Sequence, residues 1–255
     1  TLESAQFCVN SKLRTPLGKP NETFTKIEGA LNQLGNDLIN AKKNKDNESR
    51  KDSTRVKLLL LFIEHLEKAI YSASEGCAIA MQQPPKQVRS FFITNTNTCS
   101  EWLSRIRMVV IHIAMHAGDP CTAIRHGQAL LSDLVATGRL SGVEFERVVI
   151  FVTLALLQMR ENEAILGLYV WCKNVAGRKF VWIKYAAEQA CKHYEIAIDG
   201  YRKVLKHNHV NDSDDQTESS KLESDTQNFI YDQIAICYKE LGNWGDMINW
   251  NSMDN

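Results

Sequence analysis

A chain of 255 residues with 30 basic and 30 acidic side chains has no formal net charge. That excludes the concentrated positive charge on which autonomous grip of a phosphate backbone relies, leaving at most a local basic patch. The longest near-continuous apolar run, Val148 to Leu157, is too short to span a bilayer and suits a buried helix.

Seven cysteines, Cys8, Cys77, Cys99, Cys121, Cys172, Cys191 and Cys237, make an odd, scattered set without a C-x-x-C pair. They read as reduced core residues of a cytosolic or nuclear protein. The sequons at Asn21, Asn47 and Asn211 read as chance, because no secretion signal opens the chain. Both ends read as cuts inside a longer protein.

In chain order, residues 1–20 form an irregular approach segment in which Pro16, Gly18 and Pro20 block regular structure. Asn21 is expected to cap a helix carrying Phe24, Ile27, Leu31, Leu34 and Leu38 on one face. Residues 42–54, charged and free of apolar side chains, read as a mobile loop. A long helix from Arg55 directs Leu59, Phe62, Ile63, Leu66, Ile70, Ala73 and Cys77 inward until Pro84-Pro85 stops it. A short element with Val88, Phe91 and Phe92 leads to a turn at Asn95–Thr98.

The stretch Cys99–Thr137 sets the pattern for the rest: helix, sharp turn, helix. Trp102, Ile106, Val109, Ile113 and His116 share one face of the first helix. Gly118 suits a left-handed helix stop, Asp119 a cap and Pro120 a first helical turn. Ala123, Ile124, Gly127, Leu130, Leu131 and Leu134 form the second stripe, and Gly138 ends it. One such hairpin cannot bury both faces, so further hairpins must stack on it.

Val143–Arg160 is rich in β-branched residues, which raises a strand alternative, but its length and helical neighbours favour helix. Glu163–Val175 follows, closed by Gly177, and then one long helix is expected over Phe180–Lys206. Residues 207–227, polar and acidic, read as disordered. Ala235–Ile248 resembles the first helix, turn and second-helix start of a tetratricopeptide-type repeat, and Ala187–Leu205 a second helix of that type. The fold class is all-α: an α-solenoid of stacked antiparallel helix pairs, HEAT- or tetratricopeptide-like, with two disordered polar loops. Its regions are 1–20, a helical solenoid at 21–97, a helical-repeat region at 98–206, the acidic loop 207–227 and a partial repeat at 228–255. A soft division is expected near residues 84–98.

Three constellations merit weighing as sites. His112 and His116 stand four apart, as two metal ligands on one helix turn would. The run lacks the glutamate of a zinc-protease motif, and no further ligand pair has the right spacing, so core or groove histidines fit better. Arg125-His126 offers a cationic contact to a partner, and an exposed hairpin face explains the pair equally well. Lys173, Arg178 and Lys179 lie beside Trp171 and Trp182, an interleaving that would suit RNA. Three charges are few, and a packed helix end is the better reading. No cysteine carries the marks of a nucleophile. G-x-G-x-x-G, the P-loop, H-R-D and D-F-G are all missing. No catalytic, cofactor-binding or metal residue is assigned.

Arg14-Thr-Pro-Leu-Gly-Lys-Pro20, followed by Thr23-Phe-Thr-Lys-Ile-Glu-Gly29, is a string that solenoid physics does not require. Leu66-Glu-Lys68, Tyr71, Glu75-Gly-Cys-Ala78, Pro84-Pro85-Lys86, Phe91-Phe92 and Thr94-Asn95 continue it. So do Trp102-Leu103, Arg105-Ile-Arg107, Arg125-His126-Gly127, Ala164-Ile165, Gly167 and Val170-Trp171. Over roughly residues 7–200, and loosely again at Trp244 and Trp250, the chain resembles the phosphatidylinositol-3-kinase-related kinases, in the branch acting in nonsense-mediated mRNA decay. The likeness fades in the two polar loops.

The resemblance implies a parent serine/threonine kinase that phosphorylates an RNA helicase of that pathway. This segment would lie in the helical solenoid N-terminal to its kinase domain. None of the family's ATP-binding or catalytic residues map here, so ATP and a divalent metal are expected only in the absent kinase domain. Implied partners are accessory subunits of the decay kinase complex and the kinase domain of the same chain, with no membrane and no direct nucleic acid. The implied location is the cytoplasm, with the nucleus second. The alternative is a free-standing helical adaptor that binds a peptide in its groove. An enzyme resting on His112 and His116 comes third.

Overall fold

The computed structural model describes residues 20–44, 49–75, 86–140, 142–210 and 224–252. Among these there are eleven helices and no strand: α1 (Pro20–Asn44), α2 (Ser49–Glu75), α3 (Lys86–Thr94), α4 (Thr96–Ala117), α5 (Pro120–Ala136), α6 (Val143–Met159), α7 (Asn162–Val175), α8 (Trp182–Ala190), α9 (Tyr194–Val210), α10 (Ser224–Glu240) and α11 (Trp244–Ser252). Adjacent helices pack in pairs, the arrangement of an all-α solenoid. None of the described helices is long and apolar enough to cross a membrane. The chain forms two compact units, Thr1–His126 and Gly127–Asn255, with the division inside α5.

In the first unit α4 is the centre, packed by α1, α2 and α3. Its Trp102 stacks on Phe24 of α1 with ring centroids 4.4 Å apart. Both rings are almost fully buried, so truncating either would cost about 3–5 kcal/mol. The α4 stripe follows Trp102, Leu103, Ile106, Val110, Ile113 and Ala114, one residue off the expected set at Val109, which is half-buried, and His116, which is exposed. On α2 the buried residues are Val56, Leu60, Ile63, Leu66 and Ile70. Leu59 and Phe62 sit half-buried at its margin.

The turn after α4 has the expected chemistry. Gly118 has φ 67° and ψ 37°. Its N–H donates to the Met115 carbonyl at 3.3 Å, and the Asp119 N–H donates to that of Ala114 at 2.9 Å, which closes the helix. Asp119 then accepts from the Thr122 N–H at 3.1 Å and the Thr122 hydroxyl at 2.7 Å, satisfying a donor of the first turn of α5.

The second unit contains three hairpins, α6/α7, α8/α9 and α10/α11, and each repeats that turn. The left-handed residue is Arg160 (φ 59°), Lys192 (φ 66°) and Gly242 (φ 71°) in turn. In each, its N–H and that of the next residue reach back to the preceding helix, as from Lys192 to Gln189 and from His193 to Glu188, both at 2.9 Å. The expected single helix Phe180–Lys206 is therefore two, α8 and α9, and Ala187–Leu205 spans a hairpin. Lys192 breaks the helix where no glycine or proline gives warning. The two helices press together at Gly200, where a Cβ would lie 2.1 Å from the Tyr185 ring.

The β-branched run Val143–Met159 is helix. Much of the expected loop 42–54 is helical too, since α1 extends to Asn44 and α2 begins at Ser49. Lys, Arg and Glu are good helix formers, and lack of a core face does not forbid a helix. Likewise α9 runs through Val210 and α10 starts at Ser224. Thr226, placed by sequence in the disordered loop, is fully buried. The remaining loop residues, 45–48 and 211–223, and the approach segment 1–19 lie outside the described residues. Pro20 already opens α1, so Asn21 stands within its first turn. Helix α4 starts at Thr96, leaving Asn95 alone between α3 and α4. The expected change of region at 97/98 falls inside α4.

Candidate functional site

His112 and His116 both lie on α4, the first half-buried and the second exposed. Among the described residues no three His, Cys, Asp or Glu side chains gather as a metal site would need. The helix spacing is present, but the remaining donors are not brought to it.

Arg125 and His126 belong to a half-buried cluster in the first unit. Both Arg107 and Arg125 donate to Glu67, at 3.0 and 2.5 Å. They also flank the His126 ring, Arg107 3.5 Å from Nδ1 and Arg125 3.1 Å from Nε2. His126 is only 1% exposed, which corrects the expected exposed face. Burial is the largest influence on it and pushes its pKa down to about 4; Glu67 opposes this, while Arg125 and Arg107 add to it. Burial alone would raise Glu67. The positive charge around it, from His126 when protonated and from both arginines, outweighs burial and holds Glu67 below the usual carboxylate range. Near neutral pH the cluster is a neutral imidazole, a carboxylate and two guanidiniums spent on one another. It braces α2, α4 and α5 and offers no free acid or base.

Arg178, Trp182 and Trp171 of the second unit are likewise committed. Arg178 donates to Glu146 at 3.1 Å and to the Leu140 carbonyl at 3.3 Å, and its guanidinium lies 4.9 Å over the Phe180 ring. Trp182 is buried, 4.8 Å from Phe229. Trp171 is half-buried, 6.3 Å from Phe145. Lys173 and Lys179 remain exposed. The arrangement is a packed helix end, in which Trp182 offers no open face for a base to stack on and Trp171 only part of one. Burial pushes the thiols of Cys99, Cys172 and Cys237 up to about 11, 12 and 12, leaving them inert near neutrality.

Two features were not located by the sequence reading, which gave the adaptor's groove no residues. One is an apolar groove of about 430 Å³ within the second unit, with Leu131, Val152, Leu156, Leu168 and Trp171 among its lining residues. The sequence signal for it was α7 itself, NEAILGLYVWCKNV, apolar on nearly every side although only part of its surface is covered. The other is Glu146, a carboxylate 4% exposed that accepts from Arg178 and from the Thr226 hydroxyl. A single acid inside the run Phe145–Ile150 was its only trace.

A family model described as serine/threonine-protein kinase smg-1 matches residues 1–255. The SMG1 serine/threonine-protein kinase of Danio rerio is 33% identical over 288 residues, covering 98% of this chain and 8% of that protein. The Smg1 kinase of Drosophila melanogaster is 32% identical over 255 residues, 96% of this chain and 8% of its own length. A probable smg1 kinase of Dictyostelium discoideum is 29% identical over 174 residues, 66% of this chain and 7% of that protein. The chain thus spans about 8% of the length of the first two of these curated relatives.

Proposed function

This chain belongs to the serine/threonine-protein kinase smg-1 family, and from that premise we propose that it is a non-catalytic helical scaffold within such a kinase. The observation carrying the proposal is that the family match runs over all of residues 1–255, while the described residues form helices packed in adjacent pairs. In this reading the parent phosphorylates an RNA helicase in nonsense-mediated mRNA decay. The helices set the spacing between its kinase domain and accessory subunits. ATP and a divalent metal belong, in this reading, to that kinase domain. Protein partners, a cytoplasmic location and the nucleus as a second location go with the proposal.

The test is phosphate transfer from ATP to the helicase by the purified 255-residue chain. No transfer is expected. Transfer that disappears when a residue of this chain is substituted would contradict the proposal. A second reading, an adaptor taking a peptide in a groove, has the apolar cavity beside α7 in its favour.

A further inference from the structure

The first turn of α10 meets α6 through polar groups. Glu146 accepts from the Thr226 hydroxyl on α10 and, at 3.1 Å, from Arg178 on the segment between α7 and α8. One residue along, Arg147 pairs with Asp225. Helix α10 packs on α6 and α9, and its Phe229 and Gln233 reach Trp182 and Gln189 of α8.

Elsewhere α10 is held by aromatic packing. Phe229 lies 4.8 Å from Trp182 and 6.4 Å from Tyr201. One neutral polar bridge joins in: Tyr201 donates to Gln189 and Gln189 to Gln233, both at 3.0 Å. Apolar contacts are non-directional and tolerate a shift along the helix. A buried carboxylate does not, because losing a partner leaves charge or a polar group uncompensated.

We propose that Glu146 is the register pin of the α10/α11 hairpin and the contact on which its docking against the rest of the unit depends. With the carboxylate in place, one alignment of α10 on α6 satisfies Glu146, Thr226 and Arg178 together. With it neutralised, apolar packing, the Gln189–Gln233 bridge and the exposed Arg147–Asp225 pair are left to hold the hairpin, which opens as a local unit while α6 to α9 stay folded. The device makes α10/α11 the releasable hairpin among the three described in this unit. It does not depend on which kinase the chain serves.

The experiment is amide hydrogen exchange on the whole 255-residue chain, comparing wild type with Glu146→Gln, Thr226→Val and the exposed control Glu144→Gln. Glu146→Gln is expected to speed exchange across residues 224–252 by about tenfold, with 143–206 within about twofold of wild type. Thr226→Val, which keeps the Arg178 pair, is expected to give about threefold in the same peptides. The control is expected to change neither region. Exchange rising equally across 143–252, or unchanged in 224–252, would overturn the proposal. If Glu146→Gln lowers total helicity, Thr226→Val decides by the same two regions.

Discussion

In each unit a carboxylate on one helix is brought to arginine, Glu67 half-buried in the first and Glu146 buried in the second, and the two sites have different partners. In the first unit Glu67 meets two guanidiniums with a histidine between them. The cluster carries excess positive charge and a group whose protonation is suppressed. In the second unit Glu146 meets a guanidinium on one side and a hydroxyl from another helix on the other. Pairing an acid with arginine therefore comes with a suppressed imidazole in one unit and with a hydroxyl from another helix in the other. The difference teaches that composition of the partner set, more than burial, decides what a buried acid does to a helical stack.

Glu146→Ala breaks the comparison most severely. It strips Arg178 of its carboxylate, and a loss of about 3–5 kcal/mol is expected in urea unfolding followed by a probe in the second unit. Acid comes next. The folded-state pKa of His126 is lowered to about 4, so the unfolded chain binds the extra proton between its own value near 6.5 and about 4. Stability is full above that window and falls as pH drops through it, by about 3 kcal/mol in all. Glu67, also lowered, adds loss in the same direction below its unfolded value. Urea midpoints of the first unit measured between pH 7 and 4 would show the slope, and His126→Gln would flatten it. Glu67→Gln is expected to cost about 1–2 kcal/mol, because solvent reaches Arg125 and takes up part of the charge. The smallest effect sharpens the turn comparison: Lys192→Gly relieves a left-handed backbone and is expected to gain about 1 kcal/mol in thermal unfolding.

What the sequence made legible was what local chemistry alone decides. Gly118-Asp119-Pro120 was readable because each residue has one conformational use, and the structure shows all three uses. Lys192 and Arg160 adopt the same backbone as Gly118, but only packing between α8 and α9, or α6 and α7, forces it on them. The helix break between α8 and α9 was therefore invisible. The α4 stripe shifted from Val109 to Val110 because three neighbouring helices cover it, a wider face than a spacing pattern assumes. Residues 42–44 and 49–54 were misread for another reason. Lack of apolar side chains says what a segment cannot bury, which is a separate matter from whether its backbone can coil. Among the candidate sites, the absence of a catalytic word was readable. Glu146 was not, since its partners lie 32 and 80 residues away.

The scaffold claim is tested most directly in a full-length relative, such as the zebrafish kinase, substituted at the positions matching Trp182 and Glu146. Peptide phosphorylation and capture of accessory subunits would be measured on the same preparation. The account predicts that turnover of a short peptide stays within about twofold of wild type while subunit capture is lost. Collapse of peptide turnover with subunit capture intact would show that these helices serve the chemistry itself, and would contradict it.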